Sequence, residues 1–157
     1  MSNGTSNIYI IHNSSVRKAG IIMVKLIAGL KGTGKTKTLI EMVNGAAKES
    51  HGSVNCLELG EKLRYDINYQ VRLVDVSGYG ISNSEELFGF VSGMYASNHD
   101  ITHIFIDSAL KMCKNDVESF EAFFVKAAKF AEDNNFDLVV TASSVVDAFS
   151  DNVKKYL

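Results

Sequence analysis

Apolar positions along this chain fall in short blocks, and the spacing inside the blocks changes character from one to the next. Val24-Lys25-Leu26-Ile27-Ala28 is an apolar run broken once, the pattern of a buried strand. Behind Thr36 the spacing turns helical, with Leu39, Ile40, Met42, Val43, Ala46 and Ala47 on one side. Val54–Leu59 predicts a second strand, and the polar stretch from Gly60 to Gln70 a loop with some helix. Val71–Val76 predicts a third strand, closed by Ser77-Gly78-Tyr79-Gly80. Asn83 and Glu86 stand at capping-box spacing before Leu87, Val91, Met94 and Tyr95. Ile101–Ile106 is a strand ending on Asp107. Asn115 and Glu118 form a second capping box, ahead of Phe120, Phe123, Phe124, Ala127 and Phe130, and Asn134-Asn135 ends that helix. Leu138–Thr141 is the last strand. Ser144 with Asp147 opens a short final helix in which Val153, Tyr156 and Leu157 are available for packing. Strands alternating with helices of this length predict βαβ units: an α/β fold of three layers, helices on both faces of a mostly parallel sheet.

Residues 1–22 differ from the rest. Met1–Asn7 is rich in Ser, Asn and Gly and is expected to be disordered. Ile8–Ile11 predicts a short strand able to cover the edge beside Val24–Ala28. The expected division is therefore an N-terminal extension over 1–22 and one α/β domain over 23–157, with Met23 a second possible start of translation. Composition adds limits. A net charge of −2 argues against a strong, sequence-independent grip on nucleic acid. Cys56 and Cys113 have neither metal-ligand spacing nor the number of a disulfide framework, which suggests a reducing cytoplasm. The longest apolar run, Ala19–Leu30, is too short to span a bilayer, and the N-terminus lacks a signal-peptide layout.

The chemistry is concentrated between the first predicted strand and helix. Gly29-Leu30-Lys31-Gly32-Thr33-Gly34-Lys35-Thr36 fits G-x-x-x-x-G-K-[ST] without a mismatch. Glycines let successive N–H groups turn into one concavity, and the following helix adds free N–H donors and partial positive charge. The pattern predicts Mg·ATP binding by Gly29, Leu30, Lys31, Gly32, Thr33, Gly34, Lys35, Thr36 and Thr38. Lys35 is expected at the β- and γ-phosphates, and the Thr36 hydroxyl on Mg²⁺. Asp107, ending four mostly apolar residues, is the second expected Mg²⁺ ligand.

Ile104-Phe105-Ile106-Asp107-Ser108 resembles the Walker B strand of RecA-like P-loop ATPases, and with the loop motif the likeness covers about residues 24–157. It implies the RecA-like P-loop NTPase fold and hydrolysis of ATP. It also implies a catalytic glutamate at the end of the second strand and a γ-phosphate-sensing end on the strand Leu138–Ser143, where Thr141 and Ser143 are the polar residues. Ser108 departs from the Asp-Glu pair of many such enzymes, so the general base is sought at Glu58 and Glu61. Glu61, freer beyond Gly60, is preferred. The family's DNA-binding loops are not visible.

Other function classes are weaker on the same residues. Asp75-Val76-Ser77-Gly78 matches a GTPase D-x-x-G, but no Asn-Lys-x-Asp accompanies it. Three arginines, Arg17, Arg64 and Arg72, are few for a small-molecule kinase. His99 and His103 would not share a helix face, and Lys31 is expected to be exposed on the loop. The competing expectation is a non-hydrolysing, nucleotide-dependent switch acting on a protein partner or a second copy. Neither membrane nor nucleic acid is indicated.

Overall fold

The computed structural model describes residues 9–17 and 20–154. The sheet has six strands: β1 (Tyr9–Arg17), β2 (Gly20–Gly29), β3 (Ser53–Glu58), β4 (Arg72–Asp75), β5 (Ile101–Ile106) and β6 (Asp137–Ser143). Their order is β1-β2-β6-β5-β3-β4. The five from β2 to β4 in that order are parallel, and β1 pairs antiparallel with β2. The long helices are α1 (Lys35–Glu49), α2 (Ser84–Ser97) and α4 (Val117–Asn134), with one-turn helices α3 (Ala109–Met112) and α5 (Asp151–Lys154). No helix among the described residues is long and apolar enough to cross a membrane.

Side chains alternate across a strand, so each buried strand feeds both faces of the sheet. Ile27, Val54, Cys56, Phe105 and Val139 pack under Leu39 and Val43 of α1. Leu26, Leu57, Ile104, Ile106, Leu138 and Val140 face α2 and α4, where Phe120, Phe123 and Phe124 are fully enclosed. Each such ring contributes about 1.5–3 kcal/mol by leaving water. The result is the three-layer α/β arrangement with a mostly parallel sheet that the block pattern predicts.

Several boundaries move for local reasons. β2 starts at Gly20 and is registered with β1 from Tyr9↔Ala28 to Arg17↔Gly20, so position 22/23 lies inside a paired strand. The segment expected as a short strand near Ile11 thus extends to Arg17. Residues 1–7, Ile8, Tyr156 and Leu157 lie outside the described residues. The α2 cap is as expected: Asn83 Oδ1 accepts the Glu86 N–H at 2.9 Å, while the Glu86 carboxylate takes the Ser82 N–H at 2.8 Å. The α4 cap is one residue later than expected. Asp116 accepts from the Ser119 N–H at 3.2 Å, because Lys114 and Asn115 are both left-handed, with φ of 56° and 59°. Ser144 caps nothing; behind it come a single 3-10 turn, Val146–Ala148, and then α5.

Candidate functional site

Between β2 and α1 the chain turns through Gly32 and Gly34 at φ of 83° and 87°. Residues with a Cβ rarely adopt that conformation, so two glycines are needed for the curl. The loop is braced on one carbonyl. Leu30 O accepts the Thr33 hydroxyl at 2.7 Å and Lys35 Nζ at 2.8 Å. Gly34 begins α1 with no side-chain cap, so the first-turn N–H groups have no side chain of their own to bond. Lys35 is 7% exposed; burial lowers its pKa, Asp107 opposes that, and nearby Lys111 reinforces it.

Asp107 follows β5 with its N–H on Leu57 O at 2.9 Å, which holds it at the carboxyl end of the sheet beside β3. Because β6 lies between β2 and β5, Thr141 stands between the loop and the acid. Its hydroxyl donates to Asp107 Oδ1 at 2.7 Å and accepts the Ser108 N–H at 2.8 Å. From the other side the Thr36 hydroxyl lies 3.3 and 3.4 Å from the two Asp107 carboxylate oxygens. A hydroxyl and a carboxylate at this separation are the hard oxygen donors that Mg²⁺ takes. Among the described residues no group of three or more His, Cys, Asp or Glu is placed to hold a metal. His99 stacks on Tyr95, and His103 Nε2 lies 3.3 Å from Asp137 Oδ2.

Glu58 ends β3 on the sheet face that carries α1 and is 3% exposed. Its carboxylate accepts the Leu63 N–H at 3.1 Å. Burial pushes its pKa up, the N–H groups of Leu63 and Lys62 pull it down, and the charges of Asp75 and Asp107 add to the rise. Lys35, Thr36, Asp107, Thr141, Ser143 and Glu58 line one cavity of about 600 Å³, with Lys31, Lys62 and Lys111 also on its wall. That volume lies in the range of small-ligand sites.

The structure does not bring every expected residue to this cavity. Glu61 is exposed and lines a neighbouring cavity of about 430 Å³ with Arg64, Tyr69 and Asp75, which meets the first at Glu58. Thr38 turns its hydroxyl back to Gly34 O at 3.1 Å. The Leu30 side chain is 59% exposed, and its carbonyl is the contribution to the loop. Gly29 ends β2 and accepts the Ser144 N–H at 3.1 Å. Asp75 is occupied otherwise than a GTPase D-x-x-G needs. Its Oδ1 takes the N–H groups of Gly60 and Ser77 at 2.8 and 3.0 Å, and its Oδ2 the Ser77 hydroxyl at 2.9 Å. Lys62 and Lys111 were not among the expected site residues. No local motif marks them; only the position of Lys111 four residues beyond Asp107 hints at it. No protein-family profile matches the chain, and no curated protein matches it in sequence.

Proposed function

We propose that the chain is a P-loop nucleotide-binding protein of the RecA-like kind that binds Mg·ATP in the 600 Å³ cavity and hydrolyses it. One observation supports this above the others: the Thr36 hydroxyl and the Asp107 carboxylate, 71 residues apart in sequence, meet at 3.3 Å beside a glycine loop and Lys35. Strand register and loop geometry converge on one oxygen pair there, and the loop N–H groups suit polyphosphate. Thr36 and Asp107 would hold Mg²⁺, whose charge would offset that of the phosphates. Lys35 would leave the Leu30 carbonyl for the β- and γ-phosphate oxygens. Thr141 keeps Asp107 oriented, and Ser143 offers a further hydroxyl near the terminal phosphate.

In hydrolysis a water oxygen bonds to the γ-phosphorus, the bond to the β–γ bridging oxygen breaks, and ADP leaves with that electron pair. Glu58 takes the water's proton. Its buried carboxylate, with a pKa above the ordinary value, suits a base working nearer neutral pH. Glu58 rather than Glu61 fits this role, since Glu58 shares the cavity with Lys35 and Asp107. Phosphate release by the wild type above a Lys35→Ala control tests the proposal.

The second proposal, a nucleotide-dependent switch, is favoured by a different observation. Of the large apolar side chains exposed among the described residues, Leu30, Leu59 and Val145 closely follow the carboxyl ends of β2, β3 and β6. Leu59 lines the cavity itself, and Leu30 belongs to the glycine loop, so a protein docked on them would sense the nucleotide. Binding without turnover in the wild type selects this second function.

A further inference from the structure

Lys111 is the one exposed residue between Ala109 and Cys113; its neighbours Leu110 and Met112 are buried. It lies on the wall of the same cavity as Lys35 and Asp107. No ion pair engages it among the described residues. Neither Arg64 nor Arg72 reaches this cavity; each lines another.

The backbone that carries Lys111 is strained at both ends. Ser108 enters α3 at φ 65°, and Lys114 and Asn115 leave it at 56° and 59°, all without glycine. Such a backbone conformation disfavours residues with a Cβ and persists where the surroundings determine it. The restraints are on hand. Thr141 holds the Ser108 N–H at 2.8 Å, and the Leu110 carbonyl takes the Asn115 N–H at 2.8 Å. Thus the threonine that orients Asp107 also sets the start of the turn bearing Lys111. An ammonium without an ion pair among the described residues is held on a fixed, strained turn, at a site that lysines line and, among the described residues, no arginine does.

We propose that Lys111 is a cation supplied by the chain itself to the terminal phosphate of a nucleoside triphosphate, so that the site distinguishes triphosphate from diphosphate without a partner's arginine. The inference rests on the nucleotide proposal above. A flexible ammonium beside Lys35 meets repulsion, which a γ-phosphate removes. A diphosphate, lacking that group, leaves the repulsion in place.

The test uses the full chain, fluorescent ATP and ADP analogues with Mg²⁺, and three proteins: wild type, Lys111→Met and Lys111→Arg. The wild type binds the triphosphate tighter than the diphosphate. Lys111→Met loses about tenfold in triphosphate affinity, the scale of one weakly screened charge contact, and stays within about twofold for diphosphate. Lys111→Arg keeps most of the preference. Any single-turnover hydrolysis falls at least as far as triphosphate affinity in Lys111→Met, and recovers in Lys111→Arg. Equal loss for both nucleotides, or no loss for either, overturns the role of Lys111 and leaves nucleotide binding standing. Absence of binding of either nucleotide by folded wild type overturns both.

Discussion

The Thr141 hydroxyl donates to Asp107 Oδ1 at 2.7 Å and in the same place accepts the backbone N–H of Ser108 at 2.8 Å. One buried side chain therefore orients the acid and anchors the strained turn behind it. Thr141→Val keeps the shape and removes both bonds, leaving the Ser108 N–H without its acceptor. The expected cost is about 1–3 kcal/mol of stability. Urea unfolding measures it. Magnesium-dependent nucleotide affinity should fall in the same variant, and unchanged values for both would show that the bridge is idle.

Gly32 has open space where a Cβ would stand, yet its φ of 83° disfavours any side chain. Gly32→Ala should therefore act through backbone strain of about 1–2 kcal/mol, not through a clash. The loop can relieve it by losing its curl. The expected outcome is a small fall in melting temperature with a larger loss of nucleotide affinity, read by calorimetry and by titration.

Glu58 gives a test in pH as well as in rate. Burial raises its folded pKa above the free value of 4.5, so the folded chain keeps a proton that the unfolded chain has already released. Stability from this group is present below pH 4.5 and is lost as pH rises through the folded value. Glu58→Gln should flatten that part of the melting-temperature profile. It should also keep ATP affinity, lose about 10²–10⁴-fold in turnover, and abolish the rise of turnover with pH that deprotonation of Glu58 produces. Glu61→Gln should turn over as the wild type does. A reversed outcome would move the base to the neighbouring cavity.

The contrast between these two glutamates shows what the sequence carried. The glycine loop is a local motif, so Gly32, Gly34, Lys35 and Thr36 were legible from spacing alone, and strand ends followed from apolar runs closing on Asp107. Glu58 against Glu61 turned on which loop residue closes over the carboxylate. That is a tertiary matter: the N–H of Leu63 comes back onto Glu58 and encloses it. Lys111 had only its nearness to Asp107 in sequence to mark it, because its placement depends on a left-handed serine, for which Ser108 carries no sequence signal. The length of β1 was missed because His12-Asn13-Ser14-Ser15 has little strand-like apolar content; pairing with a strongly apolar β2 overrides propensity there.

That pairing gives a further prediction. Removing residues 1–17 takes away nine registered partners of β2 and bares the strand that feeds the glycine loop. An uncovered apolar edge recruits other chains. The shortened protein should melt at lower temperature and associate with rising concentration, which light scattering detects. A monomer with wild-type melting would show β1 to be dispensable.

Binding of Mg·ATP by folded protein is the decisive observation. The wild type and Lys35→Ala are unfolded thermally with and without saturating Mg·ATP. At 100 times its dissociation constant the ligand should add about 2.7 kcal/mol to the wild type and raise its melting temperature, with no rise in Lys35→Ala. A wild type whose melting is unmoved by Mg·ATP and Mg·ADP, or an equal shift in Lys35→Ala, would contradict the account.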